Sequence, residues 1–79
     1  MQKTITIHAL EENTSVKFSC DNDQYIYYKT NYNDWNKYIN NQNIILKNIN
    51  DFICFKSEYE ENSLTNPYFS ISGKVSLSG

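Results

Sequence analysis

Residues 25–55 decide the fold: they read YIYYKT at 25–30, a polar turn leading to Trp35, IIL at 44–46 and FICF at 52–55. Each short apolar run is rich in β-branched or aromatic residues and is bounded by Asn or Asp. This is the pattern of β-strands joined by turns. The stretch therefore predicts consecutive strands around the only tryptophan of the chain.

The same alternation continues on both sides of this stretch. Residues 4–9 and 15–20 alternate apolar and polar side chains, and residues 69–77 keep a period of two across Gly73. The phase is compatible with one strand kinked at Gly73 or with a tight hairpin there. Strands at roughly ten-residue spacing with no helical period predict an all-β, antiparallel β-sandwich of the jelly-roll or immunoglobulin-like kind. We expect one domain over residues 1–79 with no significant helix, either free-standing or as the N-terminal part of a longer chain.

Composition narrows the function classes. The 79 residues include seven Tyr, four Phe and one Trp but no Arg, and the net charge is −2. Without guanidinium groups, and with an acidic balance, specific nucleic-acid binding is not expected. No apolar run approaches the ~20 residues of a membrane span, so neither a membrane anchor nor a secretion signal is expected. A chain this short is marginally stable by itself, which favours a partner.

Asparagine is expected to do much of the work that glycine does in other β proteins. The chain has twelve Asn and only two Gly. Asn is one of the few non-glycine residues that tolerate the left-handed backbone of tight turns. We therefore predict that Asn residues occupy the turns.

The predicted strands at residues 25–30 and 52–55 carry large apolar side chains on both faces. We assign one face of each strand to the core and the other to a partner. A strand with one solvent-exposed face does not need apolar side chains on that face, so additional aromatic residues there indicate an interface. The predicted core consists of Ile26, Tyr28, Trp35, Ile44, Leu46, Ile53 and Phe55. The predicted partner face consists of Tyr25, Tyr27, Tyr32 and Phe52.

No constellation of side chains predicts catalysis, a cofactor or a metal site. His8, the sole histidine, is expected on an exposed strand face without a carboxylate or nucleophile beside it. Cys20 and Cys54 fit either a disulfide or two free thiols, and their opposite strand phases favour free thiols. The Asp- and Asn-rich segments 21–23 and 31–34 lack the glycine and distal glutamate of a calcium loop, so we interpret them as turns. The sequence thus predicts a protein that is not an enzyme.

One family resemblance rests on the spacing Tyr28-(six residues)-Trp35-Asn-Lys-Tyr38, on NDFICFK at 50–56 and on the closing GKVSLSG at 73–79. This pattern resembles a small β-sandwich domain at the N-terminus of leucine-rich-repeat surface proteins of gut Bacteroidales, with relatives in their phages. The paired glycines usual in the turn of that family are replaced here by Asn31 and Asn33.

The resemblance implies a structural role. Leucine-rich repeats are absent from this chain, so the expectation is a bacteriophage virion component, an auxiliary capsid or fibre-anchoring protein. It would be made in the host cytoplasm, act through protein–protein contacts with capsid or fibre proteins, and form a homo-oligomer if copies assemble. The alternative is an adhesion or carbohydrate-binding module of a bacterial surface protein, with its aromatic side chains stacking on sugar rings.

Overall fold

The computed structural model describes residues 4–21, 26–58 and 64–78, and the regular structure in these ranges is all β-strand. The described strands are β1 (Thr4–Ala9), β2 (Thr14–Ser19), β3 (Ile26–Thr30), β4 (Asn36–Lys37), β5 (Ile44–Leu46), β6 (Phe52–Ser57), β7 (Tyr68–Ser72) and β8 (Val75–Ser78). They form two antiparallel sheets packed against each other. The predicted all-β sandwich without significant helix is confirmed.

The strand pairing is nested along the chain. One sheet has the order β4-β3-β6-β1-β8 and the other has the order β5-β2-β7. β1 pairs with β8, β2 pairs with β7 and β3 pairs with β6, all antiparallel. The first half of the chain thus runs against the second half, as in a jelly roll. Because most consecutive strands change sheets, nearly every ladder joins residues far apart in sequence.

The core lies between the sheets and is built from the inward phase of each strand. Phe18 of β2 stacks on Phe55 of β6, with ring centres 4.7 Å apart, so these two rings connect the sheets. The buried cluster consists of Ile7, Ala9, Val16, Phe18, Tyr38, Ile44, Leu46, Ile53 and Phe55. Four predicted core residues are therefore buried: Ile44, Leu46, Ile53 and Phe55. The predicted core residues Ile26 and Tyr28 are partly buried and pack against this cluster.

The prediction that Trp35 fills the core is wrong. Trp35 is half-buried and lies outside the core cluster, whereas Tyr38, three residues later, is 5% exposed inside it. The backbone N–H of Phe18 donates to the Tyr38 hydroxyl at 2.8 Å, and that hydroxyl donates to the carbonyl of Gln42 at 2.6 Å. A phenol can both accept and donate in this position, whereas an indole N–H can only donate. Tyr38 therefore satisfies two backbone groups that an indole cannot satisfy together.

Gly73 is the corner at which the chain passes from one sheet to the other. β7 belongs to the three-stranded sheet and β8 to the five-stranded sheet, so the segment is a strand broken at Gly73 and not a hairpin. Gly73 has φ +119°, and a Cβ there would lie 2.7 Å from Thr14 Oγ1. Only glycine fits, because the backbone conformation and the close approach of Thr14 both exclude a side chain.

Asparagine occupies the left-handed turn positions, as predicted. The described non-glycine residues with positive φ are all asparagines: Asn13, Asn31, Asn41, Asn50 and Asn66. Their φ values lie between 47° and 72°, and each residue sits in a connection between strands. The short polar side chain lowers the cost of this conformation, which explains how the fold manages with so few glycines.

Replacing Tyr38 by Phe should lower the free energy of unfolding by about 1–3 kcal/mol. The substitution keeps the buried ring but leaves the Phe18 N–H without its acceptor, and an unsatisfied buried donor costs about that much. Urea unfolding followed by circular dichroism measures the change. Tyr32→Phe is the matched control, since Tyr32 is 92% exposed and should change stability by less than about 0.5 kcal/mol. Equal losses in both variants would contradict the role of the Tyr38 hydroxyl.

The same hydroxyl should make stability fall at alkaline pH. Desolvation by burial raises the pKa of Tyr38, the hydrogen bond from Phe18 opposes that rise, and nearby Tyr28 adds to it. The unfolded chain loses this proton near pH 10, below the folded pKa, so the free energy of unfolding falls as pH rises above about 10. Unfolding curves at successive pH values should decline less steeply for Tyr38→Phe than for the wild type. Tyr32→Phe should follow the wild type; identical slopes in all three proteins would refute this linkage.

Candidate functional site: the outer face of the five-stranded sheet

The face of the five-stranded sheet that points away from the core, here called the outer face, is the candidate site. On β6, Ile53, Phe55 and Ser57 are buried, so the alternate residues point outward. Strand β3 is in register with β6 such that Tyr27 lies opposite Lys56, and Lys29 lies opposite Cys54. The centre of the outer face therefore combines aromatic and cationic side chains.

Trp35 lies on this face in contact with two lysines. The Nζ atoms of Lys56 and Lys29 are 4.3 and 5.1 Å from the centre of the indole ring. An ammonium at this distance from an indole face is attracted by the ring quadrupole, an interaction worth about 0.5–1 kcal/mol at exposed sites. The turn after β3 thus folds back so that its tryptophan packs on the sheet from outside.

Asn31 fixes the start of that turn. Its backbone N–H donates to the carbonyl of Phe52 at 2.8 Å, and its side-chain oxygen accepts from the Phe52 N–H at 3.1 Å. Its amide nitrogen also donates to Asp51 Oδ1 at 3.4 Å. With φ 51°, Asn31 ends β3 and reverses the chain while staying bonded to β6. The position of Trp35 is therefore supported by hydrogen bonds to a neighbouring strand.

A second aromatic group surrounds Phe52. The Tyr32 ring meets Phe52 edge-on, with centres 5.4 Å apart, and the His8 imidazole lies 5.6 Å away on another side. Tyr32 is 92% exposed, the largest exposed fraction among the described large hydrophobic side chains. His8 Nε2 lies 3.4 Å from the Ser78 hydroxyl oxygen. This group extends the aromatic surface from β3 across β6 to β1.

Cys54 forms the floor of the outer face. It is 8% exposed although it points away from the core, and its sulfur lies 3.3 Å from the Thr6 hydroxyl oxygen. Cys20, by contrast, packs against the core cluster. Neither cysteine takes part in a disulfide. This agrees with the opposite strand phases, which favoured two separate thiols.

Most predicted partner residues come together on this face. Tyr27 points outward opposite Lys56, and Phe52 and Tyr32 are in ring contact. Tyr25 falls in segment 22–25, outside the described residues. The prediction missed Lys29, Lys56 and Trp35. The two lysines share the strand phase of Tyr27 and Phe52, so the period of two would have placed them here; the position of Trp35 carries no such signal because it follows a turn.

Charge is unevenly distributed between strands and connections. In the described part of the chain, no strand contains Asp or Glu, whereas four lysines lie in strands. Of these, Lys29, Lys37 and Lys56 lie on the outer face, because Lys37 is opposite Tyr27 on the edge strand β4. Lys17 points to solvent from the other sheet. An acidic protein thus presents a cationic sheet face.

The described residues give little support for metal binding or acid–base chemistry. No cluster of three or more His, Cys, Asp or Glu side chains with the spacing of a metal site occurs within them. The contacts of His8 are the Phe52 ring and the Ser78 hydroxyl, whereas a hydrolase triad would also place a carboxylate on Nδ1. None of the described segments forms a helix long and apolar enough to cross a bilayer.

Comparisons with protein-family models, with curated proteins and with solved structures find no match to this chain. The resemblance of the sequence to the Bacteroidales domain therefore stays a prediction.

Substitutions can distinguish an aromatic side chain in the core from one on the outer face. Phe55→Ala should cost about 3–5 kcal/mol of stability, because it empties the centre of the core. Trp35→Ala should cost only about 1–2 kcal/mol, because the indole is half-buried and its loss opens no core cavity. Urea unfolding measures both values, and acrylamide should quench the fluorescence of Trp35 in the folded wild type. An indole protected from acrylamide, or an equal loss of stability in Trp35→Ala and Phe55→Ala, would indicate that Trp35 lies in the core.

Proposed function

We propose that this chain is a non-enzymatic assembly protein that binds a protein partner through the outer face of its five-stranded sheet. The setting that we propose is a bacteriophage virion, in which the chain serves as an auxiliary capsid or fibre-anchoring protein. The main observation in support is a set of large aromatic side chains on a sheet face that points away from the core. Tyr32, at 92% exposure, is its most prominent member.

The geometry suits a preorganised docking surface. Aromatic side chains contribute large contact area at low entropic cost, and they dominate the energetics of interfaces. Here Phe52 pairs with His8 in the β1 ladder, and its carbonyl accepts from the backbone N–H of Asn31, just after β3. The Tyr32 ring contacts Phe52 from the turn that Asn31 begins. Rigid anchors lose little conformational freedom when a partner covers them. The face therefore offers contacts without prior rearrangement.

Small size supports assembly as well. Among the residues that the structure describes, the buried core cluster contains nine side chains, and a chain of 79 residues can bury only a modest core. A partner that binds only the folded state adds stability by mass action, about 2.7 kcal/mol when its concentration is 100 times Kd. A particle in which many copies are packed at high local concentration meets this condition.

A carbohydrate-binding role on a bacterial surface is the second candidate, and one observation favours it. Tyr32 stands exposed on a turn whose next two residues, Asn33 and Asp34, are also exposed. An aromatic ring flanked by amide and carboxylate groups can stack on a sugar and bond its hydroxyls. Glycan-array binding that Tyr32→Ala abolishes, with the fold retained, would select this candidate.

The proposal predicts that the chain associates with particles through Tyr32. Tagged protein produced in its natural source should band with phage particles in a density gradient, and Tyr32→Ala should reduce the bound fraction by more than tenfold, the usual effect of losing a central anchor. Tyr68→Ala is the matched control, because Tyr68 is 67% exposed on the outward side of the three-stranded sheet.

Two results would contradict the proposal. One is wild-type protein that stays at the top of the gradient as a highly stable monomer in particle-producing cells. The other is an equal loss of binding in Tyr68→Ala and Tyr32→Ala, which would show that association does not depend on the outer face.

A further inference from the structure

We infer that the partner contacts the outer face with a short acidic segment, whose carboxylates lie beside Lys29 and Lys56. The inference rests on the proposed function and adds the chemistry of the partner. The observation behind it is the pair of ammonium groups within 5.1 Å of one indole centre. Neither the aromatic contacts nor the fold requires both positive charges at this place.

The Lys29 and Lys56 ammonium groups, which lie 5.1 and 4.3 Å from the same ring centre, are close enough to repel each other. Because the Debye length at physiological salt is about 8 Å, salt screens this repulsion only in part. The indole quadrupole offsets part of it for each ammonium group. Within the described residues, the side-chain ammonium groups of Lys29 and Lys56 contact the Trp35 ring and form no ion pair with a carboxylate. A carboxylate supplied from outside would relieve the repulsion between the two lysines.

The outer face is positively charged because its strands carry lysines. Lys37 extends the cationic row beyond Tyr27, so three lysines lie on adjacent strands β4, β3 and β6. The described carboxylates lie in the connections: Asp51 and Glu58 adjoin the two ends of β6, and Asp34 lies two residues before β4. Complementary charge would steer an acidic segment to the middle of the face and would set its register there.

The neighbouring aromatics define the rest of the segment. Tyr27 lies opposite Lys56 on the adjacent strand. On β6 itself, Phe52 and Lys56 lie on either side of Cys54, each two residues away from it. A segment that alternates carboxylates with an apolar side chain could pair with the lysines and cover the rings at the same time. We therefore expect at least one apolar residue between the acidic ones.

A nucleic acid fits this face less well. Its phosphates form a continuous line of charge, which would pass the exposed carboxylates of Asp34 and Glu58 at the rim. A short peptide can place two carboxylates beside the lysines and avoid that rim. The chain also lacks arginine, the usual residue for phosphate recognition.

The test is an NMR titration of the ¹⁵N-labelled full chain with the capped peptide Glu-Phe-Glu-Ser-Glu and with the same peptide carrying Gln in place of Glu. The acidic peptide should shift the Trp35 indole N–H and the amides of β3 and β6, and it should bind at least about fivefold more tightly than the Gln peptide at low salt. Lys29→Gln/Lys56→Gln should remove this preference. Lys17→Gln/Lys47→Gln, which removes the same charge elsewhere, should retain it.

A second variant keeps the test decisive if the double Gln variant folds poorly. Lys29→Arg/Lys56→Arg preserves both charges, so it should retain the preference for the acidic peptide. Equal binding of the two peptides, or shifts confined to other surfaces, would overturn the inference. Tighter binding of a ten-nucleotide oligo-dT than of the acidic peptide would also overturn it, in favour of a nucleic-acid face.

The outcomes separate this inference from the proposed function. Loss of particle association in Tyr32→Ala without any preference for the acidic peptide would leave the assembly role standing and refute the acidic partner. A clear preference for the acidic peptide with no particle association would support the charge chemistry and refute the virion setting.

Discussion

The pairing of β3 with β6 in a single register is the constraint on which both the core and the outer face depend. This register sets Tyr28 opposite Phe55 on the inside and Tyr27 opposite Lys56 on the outside. Because strand side chains alternate, a slip by one residue would send the lysine toward the core and Phe55 toward solvent. The cost of burying an unpaired ammonium group makes that slip prohibitive. The same charges that define the outer face therefore also protect the register of the core.

The hairpin that follows β3 shows how hydrogen bonding selects which aromatic residue is buried. Trp35 and Tyr38 are both large, and hydrophobicity alone favours the indole for the core. Tyr38 is buried instead, because its hydroxyl accepts from Phe18 and donates to Gln42 across the gap between the sheets. A buried backbone group without a partner costs more than the difference in apolar area between the two rings supplies. The indole is then left for the lysines outside.

The fold is also economical in its turns. In the described ranges, five asparagines adopt the left-handed backbone of the connections, and Gly73 occupies the position where even asparagine would collide with Thr14. Asn31 does more than turn the chain, since its side chain bonds to the next strand of the sheet and so holds the segment that carries Tyr32 and Trp35. Turn formation and presentation of the candidate site thus depend on the same residue.

The sequence by itself determined the all-β class, most inward positions of the strands, the turns at asparagine, and the outward direction of Tyr27 and Phe52. These properties are local: they follow from alternation within a strand and from the backbone preferences of single residues. Only the tertiary structure decided which strands pair, that β7 and β8 belong to different sheets, and that Tyr38 rather than Trp35 is buried. It also brought Lys29 and Lys56, distant in sequence, over one indole ring. Such contacts depend on hydrogen bonds and strand registers between segments that are distant in sequence. The alternation of residues within one strand does not specify them.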